Sequence, residues 1–221
     1  MSSPHLQNLF SKAYILGGSP CSGKSTLAEM LSAQHGFHYY KADNHESDHL
    51  QKAHPDHQPL MHQYSKMSWD AIWSQSPEKL LADEMTYYHE RFPLILDDLS
   101  QTHLERPVIL EGAAFLPELI TQFSVKRENV VFMIPTIEFQ LHHYSQRPWL
   151  QSILKECHDP KLAFANWMKR DNLFGEEVVC KANDHGFQII HVDGSVDIQT
   201  QFKTLQTQFG LKSDTIALNP L

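Results

Sequence analysis

The 221-residue chain is poor in cysteine: it has three, and none stands in a C-x-x-C pair. Cys21, Cys157 and Cys180 leave one thiol over in any pairing scheme, which excludes a full disulfide framework or a zinc ribbon and fits a reducing compartment. A basic excess is also lacking, since 18 Lys and Arg against 26 Asp and Glu leave a formal net charge of −8. That balance argues against a general binder of nucleic acid or anionic membrane. No stretch approaches the roughly 20 apolar residues of a membrane span, and residues 1–8 lack the basic start and apolar core of a signal peptide. The expectation is a cytoplasmic protein that works on neither nucleic acid nor membrane. Internal repeats and low-complexity tracts are absent too, and the length suits one sizeable α/β domain over 1–221.

What is present is concentrated near the start. Gly18-Ser19-Pro20-Cys21-Ser22-Gly23-Lys24-Ser25 follows the apolar stretch Tyr14-Ile15-Leu16-Gly17 and satisfies the phosphate-loop pattern G-x-x-x-x-G-K-[ST] in full. Its two glycines let the backbone curl so that N–H groups face phosphate oxygens, and the helix that continues through Thr26 presents its positive end to the same anion. Lys24 is placed to reach the β and γ phosphates, and the Ser25 hydroxyl to ligate Mg²⁺. The pattern predicts nucleoside triphosphate binding and leaves the use of that nucleotide open.

Short apolar runs alternate with helical patterns, the signature of a parallel sheet flanked by helices. Five runs read as strands: 13–17, 37–41, 108–111, 130–134 and 188–192. Between the second and third lies a His- and Asp-rich segment, 43–62, without a clear period. It is followed by a helix announced by Ser76-Pro77, which Pro93 is expected to kink or end. Asp159-Pro160 announces another helix running towards Gly186, and 195–209 reads as the closing helix.

In open parallel sheets ligands sit beyond the carboxyl ends of the strands, so acids just after strands are the ones to weigh. Asp43 follows the second strand and Glu111 ends the third. Either can serve Mg²⁺ or accept a proton from a hydroxyl; Asp43 is favoured as the base and Glu111 as the metal or acceptor partner. Between the fourth and fifth strands Arg147, Lys169 and Arg170 supply cations suited to a transferring phosphoryl group. For Arg170 the plainer alternative is a surface ion pair with Asp171 or Glu176. Of the fifteen histidines, five lie between His45 and His62. His45 and His49 with Asp43 and Asp48 could form a metal site, but a solvated or acceptor-contacting role, chiefly for His45, is the preferred reading.

This order of parts resembles the P-loop kinase group that includes nucleoside monophosphate kinases, shikimate and gluconate kinases and chloramphenicol phosphotransferases. The resemblance is specific at the phosphate loop and weaker at Asp43, at Glu111-Gly112 and at Asp193-Gly194-Ser195. It implies a sheet order of 2-3-1-4-5, an acid after the second strand that touches the acceptor hydroxyl, an acid after the third near metal or acceptor, and a loop at Asp193-Gly194-Ser195 beside adenine. The chain departs from adenylate kinases, whose third strand leads into Asp-Gly-Phe-Pro-Arg. Here the sequence is Glu111-Gly112-Ala113-Ala114-Phe115-Leu116-Pro117, without the arginine that grips a nucleotide phosphate.

The expectation is therefore a three-layer α/β P-loop fold with a five-stranded parallel sheet, an acceptor-binding insertion at about 44–104 and a helical lid at about 145–175. ATP with Mg²⁺ would be the phosphoryl donor and a small hydroxyl-bearing molecule the acceptor. Lys24, Asp43, Glu111, Arg147 and Arg170 would carry the chemistry. Gly18, Ser19, Pro20, Cys21, Ser22, Gly23, Lys24, Ser25 and Thr26, with Asp193, Gly194 and Ser195, would hold the nucleotide, and Ser25 and Glu111 the metal. The competing readings are a nucleotide-dependent switch or regulatory ATPase, whose GTPase form is disfavoured by the lack of Asn-Lys-x-Asp, and an atypical nucleoside or nucleotide kinase.

Overall fold

A computed structural model describes residues 3–102 and 106–212. Helix α1 (Pro4–Ser11) leads into β1 (Tyr14–Gly18), α2 (Lys24–His35) and β2 (His38–Lys41). A 3-10 turn at Ala42–His45 opens a helical run of α3 (Glu46–Lys52), α4 (Pro59–Tyr64), α5 (Trp69–Trp73) and α6 (Pro77–Ser100). Then come β3 (Val108–Glu111), α7 (Pro117–Ile120), β4 (Val130–Pro135), α8 (Ile137–Ser145), α9 (Pro148–Leu154), α10 (Pro160–His185), β5 (Gln188–Val192) and α11 (Ile198–Gln208).

The five strands form one parallel sheet in the order β2-β3-β1-β4-β5, as the resemblance implied. The strands read as near-continuous apolar runs because both faces are covered. Alternation sends Ile15, Leu110, Val130 and Phe132 into a core with Phe10, Phe92, Ile95, Leu99 and Phe174. Leu16, Ile109, Val131 and Met133 face the other way, against Leu27, Leu31, Phe202 and Leu205. The sheet is thereby clamped between α1, α6 and α10 on one side and α2 and α11 on the other.

Three local expectations are corrected. Of the two outcomes expected at Pro93, a kink or an end, the end does not occur, since α6 runs through it to Ser100; a proline inside a helix costs about 3 kcal/mol, and here Phe92, Ile95 and Leu99, all buried in the core, hold the helix in place. Residues 43–62 are largely helical rather than irregular: a 3-10 turn, α3 and the start of α4 fill most of the stretch, and each is too short to show a periodic face. The closing helix begins at Ile198 instead of Ser195. Asp197 caps it, accepting from the N–H groups of Gln199 and Thr200 at 2.9 and 3.0 Å.

The stretch 44–104 thus becomes α3 to α6, with residues 103 and 104 outside the described residues, and 145–175 takes in the end of α8, all of α9 and the first half of α10. These two stretches meet. Trp73 stacks on Trp167 with ring centroids 3.8 Å apart, and Asn166 Nδ2 donates to the Trp73 carbonyl at 3.0 Å. Among the described residues no helix is long and apolar enough to cross a membrane.

Candidate active site

The carboxyl ends of β1, β3 and β2 lie side by side, since Leu16 pairs with Glu111 and Glu111 with Lys41. Everything that follows these strands therefore converges. Gly18 ends β1 at φ +107°, and a Cβ there would fall 2.3 Å from the Met133 carbonyl oxygen, so only glycine lets the loop leave so close to β4. Gly112, at φ +148°, plays the same part after β3: an added Cβ would lie 2.8 Å from the Cβ of Ala42, the neighbour of Asp43.

The phosphate loop is wound on itself. Lys24 Nζ donates to the Ser19 carbonyl at 2.6 Å and to Ser22 Oγ at 3.2 Å, and Ser22 Oγ donates to the same carbonyl at 2.9 Å. Cys21 takes a left-handed φ of 64°, unusual for a residue with a side chain. The first N–H groups of α2 have no carbonyl of their own helix to bond and so give this loop its anion-binding end. Burial pushes the Lys24 pKa down, opposed by Glu111 and then Asp43.

Glu111 is 2% exposed and accepts from Ser25 Oγ at 3.1 Å and from the Tyr39 hydroxyl at 2.9 Å. Burial together with Glu111 raises the Tyr39 pKa, so this hydroxyl remains a donor. Two oxygens expected at the metal, those of Ser25 and Glu111, are thus already within hydrogen-bonding distance.

Two cavities open here. The smaller, of about 270 Å³, is lined by Pro20 to Thr26 with Lys41, Asp43, Glu111, Ala113 and Arg147. The larger, of about 440 Å³, lies among α3 to α6 and α8 to α10. Pro20, Asp43, Ala113 and Arg147 line both, so the cavities share one wall. Trp69, Trp73, Trp149 and Trp167 line the larger one, joined by Tyr64, Tyr87, Tyr88 and Tyr144.

The expected basic residues differ in placement. Arg147, the N-cap of α9, lies over the Tyr144 ring at 4.9 Å and the Trp149 ring at 5.5 Å, on the shared wall. Arg170 lines only the larger cavity. It is held between Glu84, at 2.9 Å, and Asp171, at 2.7 Å, rather than in a surface pair with Glu176. Burial opposes the Arg170 charge, yet Glu84 and Asp171 outweigh it and raise its pKa. Burial also lifts the Glu84 carboxyl to about 7 despite Arg170. From Asp171 the chain of contacts continues through Gln140 Nε2, which lies 3.2 Å from Asp171 Oδ2 and 3.3 Å from the Pro20 carbonyl. The floor of the larger cavity is thereby tied to the phosphate loop.

Lys169 lines neither cavity, nor do Asp193, Gly194 and Ser195; in that loop after β5, Asp193 accepts from the Ser195 N–H at 2.8 Å and the Ser195 hydroxyl at 2.6 Å. The α11 start nearby does approach the phosphate loop, with Ile198 Cδ1 3.7 Å from a Cβ built on Gly23.

His45 and His49 belong to a network that sequence reasoning missed. His49 is fully buried, with Arg91 Nε donating to its Nδ1 at 3.1 Å, so its Nε2 carries the hydrogen and donates to Asp98 at 2.9 Å. Tyr40 donates to the same carboxylate at 2.9 Å and His45 Nδ1 lies 3.2 Å away. Arg91 also donates to the Ala42 carbonyl. This network therefore anchors the turn that carries Asp43. Among the described residues no group of three or more His, Cys, Asp or Glu is arranged to hold a metal ion.

The Zeta toxin family model matches residues 5–97, from α1 into α6, a stretch that includes the phosphate loop and Asp43. No curated protein matches the chain. Among solved structures, a deoxyadenosine kinase from M. mycoides with bound dATP is 12% identical, with a TM-score of 0.49 over 90% of this chain and 99% of its own. A shikimate kinase from Acinetobacter baumannii in complex with shikimate is 15% identical, with a TM-score of 0.45 over 94% and 98%. A gluconokinase from Sinorhizobium meliloti 1021 is 16% identical, with a TM-score of 0.39 over 91% and 93%. With its phosphate loop after β1 and its strand order β2-β3-β1-β4-β5, the chain has the sheet that its resemblance to the P-loop kinase group implied.

Proposed function

We propose that this chain transfers the γ-phosphoryl group of ATP to a hydroxyl of a small molecule. The observation that carries this reading is the wall shared by the two cavities, in which Asp43 and Arg147 face both the phosphate loop and an aromatic chamber. A site that only hydrolysed nucleotide to time a switch would have no use for a second chamber opening on the reacting phosphate.

In this reading Lys24 and the loop amides from Gly18 to Thr26 hold the triphosphate, and the Asp193-Gly194-Ser195 loop lies on its adenine side. Ser25 and Glu111 offer hard oxygen donors 3.1 Å apart, a set that suits Mg²⁺. The ion supplies neutralisation of phosphate charge when bound. Asp43 accepts the proton of the acceptor hydroxyl as its oxygen bonds to the γ phosphorus and the bond to the β–γ bridging oxygen breaks, releasing ADP. Arg147 stabilises the charge on the transferring group, and Arg170 orders the chamber floor. Residues 44–104 form the acceptor side and 145–175 the lid. Such a protein acts in the cytoplasm, where its free thiols stay reduced.

The test is a metabolite library incubated with ATP, Mg²⁺ and the protein, with products read by mass spectrometry. Acceptor-dependent appearance of a phosphorylated product supports the kinase. ATP binding with no phosphorylated product across a broad library would favour the switch or regulatory ATPase.

A further inference from the structure

Gln140, on α8, lines neither cavity, yet its side chain joins their walls. It is 2% exposed, and its amide nitrogen lies 3.2 Å from Asp171 Oδ2 and 3.3 Å from the Pro20 carbonyl oxygen. Both neighbours are acceptors, so the two hydrogens of the amide go to them and the orientation of the group is fixed by its partners. Asp171 is buried and is itself held by Arg170 Nε at 2.7 Å, which gives Gln140 a firm base from which to grip the loop. One turn beyond Asp171, α10 also packs directly on the loop: a Cβ built on Gly175 would fall 3.0 Å from Ser19 Oγ.

This grip sets the direction of one N–H. The Ser19 carbonyl is bound by Lys24 Nζ and Ser22 Oγ, but its peptide ends in Pro20 and has no hydrogen to offer a phosphate. The next peptide joins Pro20 to Cys21 and is trans, so its carbonyl and its N–H point in opposite directions. With the carbonyl drawn to Gln140, the Cys21 N–H is turned away from α8. Among the described residues nothing accepts from that N–H, and Cys21 lines the phosphate-loop cavity. We propose that Gln140 is a positioning residue, which aims the Cys21 N–H at the nucleotide phosphates by holding the Pro20 carbonyl from the far side. Its second bond, to Asp171, means that the donor loop is set from α8 and α10, the helices that also wall the larger cavity. The inference rests on the reading of this loop as the donor site.

The test is the NMR spectrum of the backbone amides with and without saturating ADP and Mg²⁺. In the wild type the amide protons of Cys21, Ser25 and Thr26 should all move downfield as they meet phosphate. In Gln140→Met, which keeps the bulk of the side chain but has no N–H, the Ser25 and Thr26 displacements should persist at saturation while that of Cys21 collapses, and the ADP Kd should rise about three- to tenfold. A general loosening of the fold would move all three together. Gln140→Asn, whose shorter stem cannot span both partners, should fall between, and it carries the comparison if Gln140→Met does not fold. An equal Cys21 displacement in wild type and variant, or none in the wild type while Ser25 and Thr26 respond, overturns this inference alone. No response at any of the three sinks the donor site and this inference with it. The titration contains no acceptor, so the expected pattern without phosphoryl transfer to any acceptor would leave the inference standing and sink the kinase alone.

Discussion

The two cavities that meet at Asp43 are built by opposite means. The phosphate-loop side is built round one contiguous stretch of backbone, with a left-handed Cys21, a glycine pressed against β4 and a lysine folded onto its own loop carbonyl, and only a few side chains from elsewhere close it. The aromatic side is made of side chains delivered by α4 to α6 and α8 to α10, residues as far apart as Tyr64 and Trp167. A backbone cradle binds what all nucleotides share, whereas a side-chain chamber can be re-lined without disturbing the fold. In the proposed reading the contrast separates a general donor site from a particular acceptor site.

The largest break in that comparison is expected from Lys24→Ala. Removing the one charged side chain of the Gly18–Thr26 loop should lower any phosphoryl transfer on the order of 10³-fold, with circular dichroism and melting little changed. Retained turnover and ATP affinity would remove the donor assignment. On the chamber side, Arg91→Met leaves the His49 Nδ1 and the Ala42 carbonyl without their donor, so we expect a loss of about 2–4 kcal/mol in urea unfolding. Rescue of much of that loss by Arg91→Lys is not expected, because one ammonium on a shorter reach cannot serve both partners with the same geometry.

A smaller effect should sharpen the division of labour. Trp149→Ala removes a wall of the chamber and one of the rings under Arg147, and should raise the acceptor KM about three- to tenfold while the ATP Kd stays put. Equal changes in both constants would mean that the chamber is not specific to the acceptor. The smallest effect concerns pH. Glu84 titrates at about 7 in the folded protein against an ordinary 4.5, so it contributes stability that is complete below pH 4.5 and lost as pH rises through 7. Glu84→Gln abolishes that loss, and the melting temperature of the variant relative to wild type should climb between pH 4.5 and 7. A flat difference over this window would show that Arg170 keeps Glu84 ionised throughout.

The same contrast explains what could be read from sequence. The phosphate loop and the five strands were legible because each is local: a contiguous pattern, or a short apolar run bounded by turns. Glu111 was legible as a strand-end acid, and its contact with Ser25 needed only the parallel pairing of β1 and β3. The chamber was not, since its tryptophans and tyrosines look like ordinary core residues until α5 and α10 cross at the Trp73–Trp167 stack. Their density at 64–88 and 144–167 was the available signal. His49 and Asp98, 49 positions apart, had none, because only the packing of α3 on α6 brings them to 2.9 Å. Pro93 misled for a related reason: the local penalty was correct, but the burial of Phe92, Ile95 and Leu99 outweighs it.

The central claim is that Asp43 stands where the donor and acceptor sites join. Its most direct test is the turnover of Asp43→Asn on an acceptor found by the library screen, with ATP affinity measured on the same preparations. Loss of turnover on the order of 10²- to 10⁴-fold at unchanged ATP Kd is the predicted result, and full turnover by the variant would contradict the account.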